Sequence, residues 1–209
     1  MYSEKLELLI DGTFRLGSQG AGEDLIDPAT GEALARLPHA SKADLDEALQ
    51  ASARGFKVWK ALTAIQRYAI MQKAADLIEA RKAEIARTLT LENGKPLAEA
   101  AGEVQFSADV VRWYAEEGKR AYGRIVPNQV DGKRHLIVKS PMGVVGAISP
   151  WNFPLILAVR KIAPALAAGC TVVLKPASQT PICAAIFAEC VAAANLPKGV
   201  FQLVAGAAA

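Results

Sequence analysis

Two short stretches combine polar or reactive side chains with positions where chemistry is done. Ser149-Pro150-Trp151-Asn152-Phe153-Pro154 follows the apolar run Val144 to Ile148 and precedes a helix-like segment from Leu155 to Ala168. Asn152 therefore falls where a strand delivers the chain onto a helix, the place at which α/β proteins hold ligands. Its amide could donate to a developing oxyanion, between prolines that restrict the local backbone. Residue type alone favours the simpler role of satisfying a turn. Lys175-Pro176-Ala177-Ser178 follows a second apolar run, Thr171 to Leu174. A lysine at a strand end can bond a ribose diol or neutralise a phosphate, and Ser178 adds a small hydroxyl. A strand ending in Lys-Pro is equally a plain exit to the surface.

The remaining candidates are weaker. Cys170, Cys183 and Cys190 lie among Ala, Ile and Val, odd in number and without a nearby His or Lys, so they are expected to be buried thiols of a reducing compartment. His135 stands alone on a strand and is read as structural. No set of residues has metal-ligand spacing. No Gly-x-Gly-x-x-Gly follows the first strand, because Gly143 and Gly146 lie before or inside it, so the usual pyrophosphate fingerprint is missing.

Elements must position these residues, and the periodicity supplies them. Leu6 to Ile10 and Thr13-Phe14 form a hairpin across Asp11-Gly12; Asp27 to Glu32 is a turn leading to a strand, Ala33 to Leu37. From Ser41 the period is helical. Ser41 with Asp44 caps a helix whose face carries Leu45, Leu49, Ser52, Phe56 and Trp59. Thr63 with Gln66 opens a long helix with the stripe Ile70, Ala74, Leu77, Ile78, Ile85 and Leu89, stopped by Asn93-Gly94-Lys95-Pro96. A third helix, Pro96 to Gly118, is expected to bury Leu97, Ala101, Val104, Ala108, Val111 and Ala115. Lys133 to Lys139 and Arg124 to Val130 pair as a hairpin across Asp131-Gly132. From Met142 the order is strand, helix, strand, helix, strand (Val144–Ser149, Leu155–Ala168, Thr171–Lys175, Pro181–Ala194, Val200–Val204), with a kink or break expected at Pro164. Such alternation predicts a parallel sheet. The fold class is therefore α/β, a partial doubly wound, Rossmann-like sheet after an N-terminal helical region, with an apolar sheet edge left open.

Bulk properties agree with a folded protein. The chain has 209 residues, 52% hydrophobic and 22% charged, with a net charge of +3. Basic and acidic residues are interspersed, which excludes a nucleic-acid or membrane-surface partner. The first seven residues, with their acidic side chains and no long apolar core, are not expected to be a secretory signal, and Arg160, Lys161 and Pro164 interrupt the most apolar stretch, making it a poor membrane span. A cytoplasmic protein is expected.

The runs Gly143 to Pro154 (GVVGAISPWNFP) and Ala167 to Pro181 (AAGCTVVLKPASQTP) resemble the NAD(P)-dependent aldehyde dehydrogenase superfamily, and the resemblance extends from about Asp27 to the end of the chain. Tyr114 to Gly123 and Arg160-Lys161 are most similar to its succinate-semialdehyde dehydrogenases. The resemblance implies an aldehyde dehydrogenase-like fold in three parts: residues 1–121, hairpins and helices of the cofactor-binding domain; 122–141, a β-hairpin oligomerisation arm; and 142–209, the first half of the Rossmann-like NAD(P)-binding domain. It also implies roles. Asn152 stabilises the oxyanion, Trp151 and Asn152 line the nicotinamide side with Ser149 among the cofactor contacts, and Lys175, Pro176, Ala177 and Ser178 hold the adenosine ribose. Arg160 binds the substrate's distal carboxylate, a task suited to its fork. Ser178 stands where NAD-preferring relatives carry Glu, so NADP is the expected cofactor and NAD the other one accepted. The implied partners are a small aldehyde and further copies of the chain. The family's nucleophilic cysteine and water-activating glutamate have no counterpart here, so the chain alone is expected to be inactive. The other reading is a non-catalytic nucleotide-binding or interaction module.

Overall fold

The structure is a computed structural model that describes residues 6–206. It opens with a hairpin, β1 (Leu8–Ile10) and β2 (Thr13–Arg15). Its two turn residues, Asp11 and Gly12, both have positive φ, 49° and 75°, the geometry that matches the twist of a two-residue connection. A second antiparallel hairpin follows, β3 (Gly22–Ile26) and β4 (Ala33–Pro38). The turn between them is closed by Asp27, whose carboxylate accepts from the Ala29 amide at 2.7 Å. Only β4 was expected; β3 reads Gly-Glu-Asp-Leu-Ile, too polar to stand out as a strand.

Four helices come next: α1 (Lys42–Ala61), α2 (Ala64–Ala80), α3 (Lys82–Asn93) and α4 (Leu97–Gly118). The capping boxes Ser41/Asp44 and Thr63/Gln66 are both formed, as their spacing predicts. Three expectations are corrected. The buried face of α1 runs through Ala48, Ala51, Ser52, Gly55 and Trp59, while Leu45 and Leu49 are 39% and 44% exposed. Small residues face inward because the backbones nearly touch: a Cβ on Gly55 would lie 2.4 Å from the Gly199 carbonyl carbon. Trp59 is fully buried and donates its indole N–H to the Leu166 carbonyl at 2.9 Å. The expected long second helix is two, broken at Arg81 (φ −97°, ψ 16°). The guanidinium of Arg81 reaches Glu84 at 2.7 Å and Glu189 at 2.7 Å. On α4, Leu97 is exposed and Ala101 half-buried, whereas Val104, Ala108, Val111 and Ala115 are buried.

The projecting hairpin is shorter than expected: β5 (Arg124–Val126) pairs antiparallel with β6 (His135–Ile137), leaving residues 127–134 as its loop. The turn at Asp131-Gly132 is present, with Gly132 at φ 76°. Ile125, Leu136 and Val138 are 75%, 69% and 78% exposed. His135 is exposed too, and no group of residues able to hold a metal occurs among the described residues.

The α/β part comprises β7 (Val144–Ile148), α5 (Pro154–Ala168), β8 (Thr171–Lys175), α6 (Ile182–Ala193) and β9 (Phe201–Leu203). These strands are mutually parallel and belong to a five-stranded sheet of order β2-β1-β9-β8-β7. β1 joins β9 antiparallel, with Leu9 opposite Leu203. The N-terminal hairpin therefore covers one edge, and β7, with Val144 and Ile148 exposed, is the open one. Pro164 does not break α5, which runs on to Gly169 in the left-handed region (φ 92°). The core extends from the helices to the sheet, and no helix among the described residues is long and apolar enough to cross a membrane.

Candidate active site

The parallel register places Ile148 opposite Lys175, so β7 and β8 end side by side. The Ser149 amide continues the ladder, donating to the Lys175 carbonyl at 3.2 Å. Residues 149–152 and 175–178 thus leave the same edge of the sheet, the carboxyl edge where ligands of such folds bind. Trp151 and Asn152 are exposed, Pro176 is buried, and Lys175, Ala177 and Ser178 are half-buried. Beside them a cleft of about 420 Å³ is lined by Lys175, Ala40, Ser41, Val204 and Ala205, within the size range of small-molecule sites.

Two polar groups here suit a nucleotide. The Ser149 hydroxyl is buried and has no partner among the described residues, a state that costs free energy unless a ligand or water completes it. Among the described residues the Lys175 ammonium donates only to the Pro176 carbonyl, at 3.5 Å, and so keeps N–H donors for a ribose or phosphate. Ser178 beside them is half-buried and carries a hydroxyl, not a carboxylate.

Asn152 is positioned by residues that sequence reasoning did not single out. At the α3–α4 connection, the Asn93 side-chain Nδ2 donates to the Trp151 carbonyl at 2.9 Å, and the Lys95 ammonium donates to the Asn152 carbonyl at 3.2 Å. Lys95 is also ion-paired with Glu103 of α4, and their side chains are only 9% and 2% exposed. The second Glu103 oxygen accepts the Leu155 and Ile156 amides at 3.0 and 3.1 Å. A carboxylate there satisfies donors that the first turn of α5 leaves open and opposes the helix dipole.

The start of α6 is held in the same manner. Glu92, fully enclosed at the end of α3, accepts the Ile182 and Cys183 amides at 2.7 and 3.0 Å. Burial raises its pKa to about 7, against the lowering effect of bonds from Cys183 and Ile182. Desolvation outweighs them, and the charge of Glu103 adds to the rise. Both glutamates were detectable in principle, since each falls on the buried stripe of its helix, three residues after Leu89 and Ala100 respectively.

All three cysteines are buried and free, as expected. Burial pushes the Cys183 thiol well up and the Cys190 thiol up to about 11, so neither is a nucleophile at neutral pH. Cys170 lies between α5 and β8, away from the residues gathered at the sheet's carboxyl edge. Arg160 is exposed on α5, its guanidinium carbon 6.0 Å from the centre of the Phe106 ring on α4. It stands six residues beyond Pro154, roughly 9 Å along the helix axis.

Comparison with known proteins agrees with this geometry. The model of the aldehyde dehydrogenase family matches residues 15–209. The chain is 44% identical to succinate-semialdehyde dehydrogenase [NADP(+)] of Escherichia coli K12, covering 97% of this chain and 42% of the relative. It is 43% identical to glutarate-semialdehyde dehydrogenase of Pseudomonas aeruginosa, covering 95% of this chain and 41% of that protein. Among solved structures, an NADP-dependent enzyme of E. coli superposes with a TM-score of 0.95 at 44% identity, over 97% of this chain and 42% of the other. The chain thus spans under half the length of the proteins it matches. With the family's model covering nearly all of it, and its two signature stretches meeting at one sheet edge, the chain belongs to the aldehyde dehydrogenase family.

Proposed function

We propose that this chain is the cofactor-binding part of an enzyme that oxidises an aldehyde with a distal carboxylate, succinate semialdehyde first, to the corresponding acid with NADP. The observation that carries this reading is the convergence of Asn152 and of Lys175 to Ser178 at the ends of two adjacent parallel strands. Asn152 donates its side-chain N–H to the aldehyde oxygen as a thiolate adds to the carbonyl, and so lowers the energy of the oxyanion. Trp151 and Asn152 line the nicotinamide side, with Ser149 among the cofactor contacts, and Lys175 with Ser178 holds the ribose and its 2′-phosphate. When bound, NADP supplies the hydride acceptor. The Arg160 fork pairs with the far carboxylate and fixes the distance between the two ends of the substrate. Both similar enzymes are named for aldehydes that bear such a carboxylate.

The thiolate is not supplied by Cys170, Cys183 or Cys190, all buried, so another part of the complete protein brings it. Residues 122–141 serve as the arm between subunits, and residues 1–121 with 142–209 make up the nucleotide-binding body. A cytoplasmic setting, which keeps the three thiols reduced, fits this assignment.

The test is a steady-state assay of the complete protein with succinate semialdehyde, glutarate semialdehyde and uncharged butanal, each with NADP and NAD. The highest kcat/KM is expected for succinate semialdehyde with NADP, and residues 1–209 alone should give no NADPH. NADP binding by the complete protein without oxidation of any aldehyde would instead mark a non-catalytic nucleotide-binding module.

A further inference from the structure

The backbone on either side of Asn152 is held by groups from one external connection, while the Asn152 side chain stays exposed. Lys95 follows Gly94, whose left-handed φ of 81° ends α3, and precedes Pro96, the residue that starts α4 at φ −57°. Its own backbone is therefore fixed on both sides. The buried ammonium faces three things at once: the Glu103 carboxylate, the Asn152 carbonyl at 3.2 Å and the face of the Phe153 ring at 4.2 Å. Glu103 in turn holds the amides of Leu155 and Ile156. One ion pair thereby spans the junction from the carbonyl of Asn152 to the first turn of α5. The Asn93 bond to the Trp151 carbonyl fixes the preceding peptide.

We propose that Lys95, locked in place by Glu103, is a positioning residue for the Asn152 amide: it sets the direction of the 152 peptide, and with it the origin and angle from which that side chain reaches the reacting oxygen. This rests on the reading of Asn152 as the oxyanion donor given above. A purely structural ion pair would stabilise the protein whatever residue occupied position 152. A positioning pair loses its kinetic effect when the group it aims is removed, because coupled residues are not additive.

The experiment is a double-variant cycle on the complete enzyme with succinate semialdehyde and NADP, measuring kcat, KM and thermal midpoint for Lys95→Met, Asn152→Ala and the two combined. Lys95→Met is expected to lower kcat about 10- to 100-fold, the scale of a misplaced catalytic group. KM should stay within about threefold, since the interaction is made only in the transition state. In the Asn152→Ala background the same lysine change should alter kcat by less than about threefold. Wild-type kcat in Lys95→Met, or losses that multiply in the combined variant, would overturn the proposal. Should Lys95→Met fail to fold, Glu103→Gln takes its place. It keeps an oxygen for the Leu155 and Ile156 amides but frees the ammonium, so the same pattern is expected, and an unchanged kcat would overturn the proposal. An unaltered enzyme that oxidises no aldehyde overturns the functional reading beneath it, a failure visible before any variant is made.

Discussion

The Glu92 carboxylate accepts the Cys183 amide at 3.0 Å, so the first turn of α6 is capped by a side chain from the end of α3. The carboxyl group is fully buried and its pKa is raised from 4.5 to about 7. A group whose folded-state pKa lies above its unfolded value contributes most below pH 4.5, and that contribution is lost as pH rises through about 7. The shift corresponds to about 3 kcal/mol of stability at most. Glu92→Gln keeps one acceptor and removes the titration, so its urea midpoint should vary less with pH across this window than that of the unaltered protein. Equal slopes in the two proteins would assign the titration elsewhere.

Ser178 should control which cofactor is preferred. Ser178→Glu places a negative charge at the end of β8, where it repels a 2′-phosphate and accepts from a ribose diol. The ratio of NADP to NAD dissociation constants should rise by about tenfold or more, as a single close charge allows. Fluorescence titration of the complete enzyme measures it. An unmoved ratio would place the 2′-phosphate away from residue 178.

Arg160 should distinguish substrates by charge. Arg160→Met removes a charged hydrogen-bonding fork and should raise KM for succinate semialdehyde about 10- to 100-fold. The same variant should handle butanal as the unaltered enzyme does. Parallel losses on both aldehydes would mean that Arg160 supports the fold of α5 and not the recognition of a carboxylate.

The β5–β6 hairpin presents Ile125, Leu136 and Val138 together to solvent, a grouping of apolar side chains suited to a covering partner. Replacing Leu136 and Val138 with Glu should convert the complete enzyme to a smaller species in sedimentation velocity. An unchanged sedimentation coefficient would remove the bridging role from residues 122–141.

Local signals carried most of the fold. The caps Ser41/Asp44 and Thr63/Gln66, the Asp11-Gly12 turn and the strand–helix alternation after Met142 are rules of neighbouring residues, and each is found in the structure. What stayed hidden depends on distant partners. The break at Arg81 has no proline or glycine to announce it and is held in part by Glu189, far along the chain. The inward face of α1 is chosen by the closeness of Gly55 to Gly199, so alanines are buried in preference to Leu45 and Leu49. The placing of Asn152 and Lys175 at the ends of two adjacent strands was also legible, and the structure sets those strand ends side by side. Lys95 looked like part of a helix stop, because its contacts with Glu103 and the Asn152 carbonyl arise only when the α3–α4 connection and α4 meet the start of α5.

The pairing of Leu9 with Leu203 also sets an order of assembly. β9 follows β1 only after four helices and both crossovers, so the hairpin's pairing with β9 waits until those segments have been made. Contacts this distant in sequence slow folding, since a long loop must close before they contribute. A nascent chain halted before Phe201 therefore exposes two unpaired edges, one on β1 and one on β8, as sites for aggregation.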